Sequence, residues 1–423
     1  NGIIKLMNEI SRLTQQELSR QRNTLNLIAS ENYPSPKVLS LLGSAWNNKY
    51  AEGYPGKRYY AGNVNADMLE EFVIDKALEV FNAKSEYGVN VQVLSGSPAN
   101  AMVYFSVLEP GDMVLSLDLG SGGHLSHLHS TSAYKKFFKH STYTVKEGRS
   151  GYELDIDDFK NKIELVNPRL VIVGFSSYTR KYDFAEFCKI AHSNGSLVLA
   201  DISHISGLVA TGNHSSPFQA DDSGADFVTT TTHKTLRGPR SALLFAKKQY
   251  MDAINKTIFP GTSGGPHLNQ IAAVGQALLE VLGEDSYPDK IAFNRYIEAV
   301  LNNAKALEDG LLEEGIEIVS KTQNHIVLAK LSDNHNSLEV QDFLEKSGII
   351  TNRNSVPNDN RSAWSPGGLR LGTAALTSRG LNIENANTLG RLIGSSIKSN
   401  KANKLRDFSK NLVKDLAWWY EES

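Results

Sequence analysis

A chain of 423 residues, 40% hydrophobic and 21% charged, has the composition of a folded globular protein of two or three structural units. Its 44 Lys+Arg against 46 Asp+Glu leave a formal charge of -2, which gives no bulk electrostatic case for nucleic acid or an anionic membrane as partner. The longest apolar runs, such as residues 170–175, fall far short of the roughly 20 residues of a membrane span, and a lone cysteine, Cys188, excludes an internal disulfide and any multi-cysteine metal site.

No apolar signal segment opens the sequence, and a start at Asn1 rather than Met leaves a removed leader open. The expected location is the cytoplasm, with an organelle of a eukaryote as the other option. Ile3, Ile4, Leu6, Met7, Ile10, Leu13 and Leu18 recur on one face and predict an N-terminal helix. Residues 27–62 are rich in Asn, Tyr, Gly and Pro without periodicity, as in a segment ordered by a ligand or partner. From about 67 to 250, helical patterns (68–81, 99–108, 183–192) alternate with short apolar runs at 114–117, 170–175, 196–200, 227–230 and 242–245. Runs too short for helices, separated by helical connectors, predict a mostly parallel sheet covered on both faces. Beyond Pro266 come a helix to about 283, a long helix over 290–314, strands at 316–319 and 326–331, and a helix at 338–346. A further strand pair (349–351, 369–371) and terminal helices complete a smaller α+β unit. The division predicted is 1–62 as an interface segment, 63–283 as a large α/β domain and 284–423 as the small domain.

Ligands of such sheets bind beyond the carboxyl ends of the strands, and four constellations lie there. In Ser95-Gly-Ser-Pro-Ala-Asn100, Ser97 suits a helix N-cap and Gly96 a close backbone approach, as at a phosphate site, although an ordinary capped turn reads the same way. Asp201 ends an apolar strand, where a carboxylate needs a cation such as a pyridinium nitrogen, unless it merely caps the next segment. Thr229-Thr-Thr-Thr-His-Lys234 brings a lysine to a strand end among hydroxyls, His233, Arg237 and Arg240. That setting favours loss of its proton and suits a Schiff-base nucleophile. His124, His127 and His129 follow Gly122-Gly123, but i, i+3, i+5 spacing with no nearby acid does not make a tetrahedral metal site. His124 is better placed to stack on an aromatic ligand.

The order of these features, together with Leu27-Ile-Ala-Ser-Glu-Asn32, Tyr50-Ala-Glu-Gly-Tyr-Pro-Gly-Lys-Arg-Tyr-Tyr60, Thr229–Arg240 and Leu369-Arg-Leu-Gly-Thr373, resembles the serine hydroxymethyltransferase family over nearly the whole chain. The resemblance implies the aminotransferase-like fold of pyridoxal 5'-phosphate (PLP) enzymes, fold type I. It implies reversible conversion of L-serine and tetrahydrofolate, the co-substrate, to glycine and 5,10-methylenetetrahydrofolate. Lys234 would hold PLP as an internal aldimine, next to Thr231; Asp201 would pair with the ring nitrogen, and His124 would stack on the ring. His204 and Ser176 would bond the phenolic oxygen side, and Ser95, Gly96, Ser97 and His233 the phosphate, joined by Gly265 and Tyr50 of a neighbouring subunit. Arg370 would clamp the amino-acid carboxylate, with Ser30 and, across the interface, Tyr60. Glu52 would handle the substrate hydroxyl proton near folate, whose lining would include Leu119, Gly123, Leu125 and Asn354. A homodimer or higher homo-oligomer with shared active sites is implied, and no metal.

Family members commonly differ at Ala61, at Thr262-Ser263, at Gly367, at Ala374, at Arg353 and after His127, where glycine commonly stands and this chain has Leu128. A folate-independent PLP aldolase or transaldolase acting on β-hydroxy amino acids is the alternative reading, and a non-catalytic binding protein a third.

Overall fold

A computed structural model describes residues 9–285, 293–362 and 364–420. Ile3, Ile4, Leu6, Met7 and the first three residues of the long helix expected over 290–314 lie outside them. The helix α1 (Glu9–Arg22) buries none of its residues, and Ile10 and Leu13 are exposed, so its apolar face is not taken up by the chain's own core. The segment after it has local order. Leu25–Asn26 runs parallel to Ile349–Ile350. Pro36–Leu42 is a helix whose cap, Ser35, accepts from the Val38 N–H, with Pro36 at the position where a missing N–H costs nothing. Gly53–Tyr54 pairs with Lys57–Arg58, and the buried Arg58 guanidinium bridges Asp67 and Glu70 at 2.8 and 2.6 Å.

In chain order there follow α2 (Val64–Val80), β1 (Tyr87–Asn90), α3 (Gly96–Val107), β2 (Met113–Leu117), β3 (Lys139–Tyr143), β4 (Leu170–Val173), β5 (Leu197–Asp201), β6 (Phe227–Thr231), β7 (Ala242–Lys247) and α4 (Leu268–Leu282). The seven strands form one sheet in the order β1-β7-β6-β5-β4-β2-β3. Six of them run the same way, and β7 alone runs against them. Every residue of β4 is buried, as expected of a strand covered on both faces. The expected fold class is the one observed. The register Asp201↔Thr229 brings the ends of β5 and β6 out side by side, which sets the carboxylate and the lysine segment at one edge of the sheet.

The long α5 (Phe293–Glu313) leads to a second sheet of β8 (Glu317–Ile318), β9 (Ile326–Lys330), β10 (Asn352–Asn354) and β11 (Gly368–Gly372), ordered β8-β9-β11-β10. The strand pair expected of residues 349–351 and 369–371 is not formed. The backbone groups around Ile349–Ile350 are taken by Leu25 and Leu27, whereas β11 is a central strand flanked by β9 and β10. Phe293, Tyr296, Ile297 and Val300 of α5 belong to the core around the large sheet, and Ala304, Leu307 and Leu311 to the second core. Between them the buried Asn303 amide donates to Thr377 Oγ1 and the Leu381 carbonyl at 3.0 and 2.7 Å. Among the described residues no helix is long and apolar enough to cross a membrane.

Candidate active site

Three residues beyond the end of β6, Lys234 is 8% exposed and lines a cavity of about 460 Å³. Burial pushes its ammonium group down to about 8; Asp201 opposes this, and Arg370 and Arg240 push the same way. A fraction of the amine is therefore unprotonated near neutral pH, the form that attacks a carbonyl. Of the two arginines expected around it, Arg240 lines the cavity, whereas Arg237 lies with its guanidinium 4.9 Å from the centre of the Tyr296 ring.

Asp201 ends β5 in the same cavity. Its Oδ2 accepts from Asn100 Nδ2 at 2.9 Å and from His127 Nε2 at 3.0 Å, and its Oδ1 from the Ser203 N–H at 3.1 Å. Burial alone would raise its pKa, but these donors hold the carboxyl well below the usual range. It is not the N-cap of the next helix, Ser206–Ala210, whose cap position is Ile205; its bond to the following segment is the one from the Ser203 N–H. Asn100 is fixed in turn by Thr229 Oγ1, which donates to its Oδ1 at 2.6 Å. His124 stands on the cavity wall, its Nδ1 accepting from the Ser126 N–H at 3.1 Å and lying 2.7 Å from Ser126 Oγ. Burial lowers its pKa to about 4, and His127 adds to the effect, so the ring is neutral.

Ser95, Gly96 and Ser97 open α3 at the cavity. Here the sequence expectation is corrected. The N-cap is Ser95, not Ser97, because helical geometry already begins at Gly96. The Ser95 hydroxyl makes no capping bond. A Cβ on Gly96 would stand 2.7 Å from Thr231 Cγ2, so glycine lets the start of α3 lie close against the end of β6. His233 Nδ1 is buried without a partner, and burial lowers this ring to about 3. Free N–H groups at a helix start, an unused hydroxyl and an orphaned ring nitrogen fit a phosphate, and Asp201 fits a protonated ring nitrogen, so the residues present suit pyridoxal phosphate.

The opposite wall carries Arg370, from the middle of β11. Its Nη1 donates to the Ser176 carbonyl at 2.7 Å and its Nε to Asn352 Oδ1 at 3.2 Å, and burial lowers it to about 10, leaving it cationic. Ser30, Leu119, Gly123, Leu125, Ser176, His204 and Thr231 also line the cavity. Ser176 Oγ donates to the Gly123 carbonyl at 2.6 Å, which ties two of these walls together.

Five predicted residues lie apart from this cavity lining. Tyr50 and Tyr60 are largely exposed, with ring centres 5.1 Å apart. A Cβ on Gly264 would be 3.2 Å from Glu52 Oε1 and one on Gly265 3.0 Å from Tyr50 Cε1, so Tyr50, Glu52, Tyr60 and Gly265 form a second cluster on the same chain. Asn354 stands on β10, its amide on the Ser355 carbonyl at 2.7 Å. Conversely, nothing in the sequence marks Asn100 and His127 as Asp201 partners. The only signal was their place inside motifs already noted, since their target lies 101 and 74 residues away. Among the described residues no group of acidic, histidine or cysteine side chains is arranged to hold a metal.

The family model described as serine hydroxymethyltransferase matches residues 3–393. A serine hydroxymethyltransferase of Desulfotalea psychrophila (strain LSv54 / DSM 12343) is 45% identical over 387 residues, covering 91% of this chain and 87% of the relative. One from Rickettsia peacockii (strain Rustic) is 40% identical over 407 residues, covering 96% and 93%. With a buried strand-end lysine facing a charged aspartate in one cavity, this chain belongs to the serine hydroxymethyltransferase family.

Proposed function

We propose that the cavity around Lys234 binds the cofactor and the amino acid, and that a second copy of the chain completes it. The activity is that of the family, a PLP-dependent glycine hydroxymethyltransferase that exchanges a one-carbon group between serine and tetrahydrofolate. When bound, pyridoxal phosphate supplies an electron sink for breaking a bond next to the amino group.

The chain's own residues do the rest. Lys234, partly unprotonated, is the covalent anchor. Asp201 stays charged and would hold a proton on the ring nitrogen of the bound cofactor; Asn100 and His127 keep its carboxylate in place. The neutral His124 ring would stack on the heterocycle, and His204 and Ser176 would bond the phenolic oxygen side. Ser95, Gly96, Ser97 and His233 would bind phosphate at the start of α3, with Thr231 packed against Gly96. Arg370 and Ser30 bind the amino-acid carboxylate, and Arg370 is held rigid by Ser176 and Asn352. Leu119, Gly123, Leu125 and Asn354 flank the folate, and Glu52 moves the proton of the substrate hydroxyl. The observation that carries this reading is one cavity holding a buried lysine lowered to about 8 together with a carboxylate kept ionised.

Tyr50, Glu52, Tyr60 and Gly265 are exposed or clustered away from that cavity, which supports their serving the cavity of a partner copy in a homodimer or larger assembly. In our reading the chain divides at 62/63 and 283/284, and the protein works in the cytoplasm, which suits a buried free cysteine. Complementation tests the shared site. Lys234→Ala and Glu52→Gln should each be inactive alone; unfolded and refolded together in equal amounts, they should regain about a quarter of wild-type activity, since half the dimers carry one intact site. No recovery, with mixed dimers demonstrated, refutes the shared site.

A further inference from the structure

His325 immediately precedes β9 and is fully buried. Its ring stacks on that of His204, with centres 5.6 Å apart and planes at 20°. Its Nε2 lies 3.2 Å from the Ala29 carbonyl oxygen and 3.5 Å from His204 Nδ1, while its Nδ1 is buried with no partner. A carbonyl oxygen only accepts, so Nε2 of His325 carries a hydrogen. Burial, with Arg370 and Lys234 nearby, lowers this ring to about 3 despite the Ala29 bond, so it is neutral and its only ring hydrogen is the one on Nε2.

That hydrogen decides the state of the neighbouring ring. A second N–H on His204 Nδ1 would set two donors against each other at 3.5 Å, a separation too short to admit a water between them, so Nδ1 is bare and receives the long arm of a shared hydrogen bond. His204 is itself held neutral, by burial first and then by Lys234 and Arg370. Its hydrogen therefore sits on Nε2, the nitrogen left to the cavity that His204 lines.

We infer that His325 is a positioning residue that locks His204 as the Nε2–H tautomer, so that His204 offers the cavity a hydrogen-bond donor and not an acceptor. The inference rests on the reading of His204 as the neighbour of the cofactor's phenolic oxygen and sharpens it, because the atom opposite must then accept, as a phenolate oxygen does. The same Nε2–H holds Ala29 beside Ser30, so one imidazole joins the cofactor wall to the substrate wall.

Histidine-selective 15N labelling of the holoenzyme, with His204→Asn to assign the signal, reads which ring nitrogen of His204 is protonated. The expected pattern is Nε2 protonated and Nδ1 bare. His325→Leu removes the donor, and His325→Gln supplies a side-chain N–H in its place. In His325→Leu the two His204 nitrogen signals should converge as tautomers mix. The cofactor absorption maximum should shift, and kcat should fall about tenfold while KM for serine changes by less than about threefold. His325→Gln should restore most of each. A wild-type spectrum with Nδ1 protonated overturns the inference whether or not the leucine variant folds, and so does a folded leucine variant with unchanged His204 signals. If the nitrogen signals behave as expected while the absorption stays put, the positioning stands and the reading of His204 beside the phenolic oxygen falls.

Discussion

Replacing Leu128 by glycine, the residue common at this place in the family, should destabilise this protein even though it relieves a backbone strain. Leu128 has φ +64°, a left-handed conformation that costs an L residue about 1–2 kcal/mol. Its side chain is fully buried in the core with Tyr104 and Phe138. Truncating a buried leucine costs about 3 kcal/mol or more. Glycine recovers the strain but adds about 0.5–1 kcal/mol of unfolded-state freedom. The net loss for Leu128→Gly is thus about 2 kcal/mol. Leu128→Ala loses the same packing and keeps the strain, so it should be worse than glycine by about 0.5–1 kcal/mol. Urea unfolding at one fixed cofactor concentration ranks the three proteins. A glycine variant as stable as wild type would mean that strain outweighs packing here, and an alanine variant more stable than glycine would put the strain below the roughly 0.5–1 kcal/mol of glycine's added freedom.

Lys234→Ala should lose the absorption of covalently held cofactor, and turnover should fall by roughly a thousandfold or more; a variant that keeps both removes Lys234 as the anchor. Ser263 lies next to the Gly264-Gly265 pair against Tyr50 and Glu52, and Ser263→Gln should slow cofactor dissociation; equal rates dispose of that idea. His192 has Nε2 2.9 Å from Asp226 Oδ2 and Nδ1 2.7 Å from the Asp222 carbonyl, and the Asp226 bond raises its pKa above 6.5. A raised folded pKa stabilises fully below the unfolded value and is lost as pH rises through the folded one. His192→Gln should therefore cost about 1 kcal/mol at mildly acid pH and less at alkaline pH, as read by urea midpoints. A deficit that is flat with pH refutes the assignment.

What could be read without the fold depended on how locally each signal is written. The run at β4 declares itself because a strand buried on both faces is continuously apolar. The edge strand β3, Lys-His-Ser-Thr-Tyr, has the half-exposed polar character of its place at the sheet margin, and periodicity gives no hint of it. Lys234 and Asp201 were legible because each closes a strand in the sequence itself. His127 was not, because its role exists only once β5 lies beside the loop after β2. Ile349–Ile350 likewise takes a partner more than three hundred residues away, and no local pattern chooses between that partner and β11. The sequence offers Ser97 as the cap because Ser95 and Ser97 are chemically alike, and only backbone angles separate them.

The helix α5 is shared between the two cores, with Asn303 as the knot at the crossing. Anyone splicing half of this chain onto half of a relative would look for a seam in a loop such as the one at the proposed 283/284 division, but the packing of the two cores crosses over further on, inside a continuous helix. A chimera joined just before α5 would hand one parent's helix to the other parent's sheet. Its interface side chains, from Phe293 to Val300, would have to be transplanted along with the sheet they pack on.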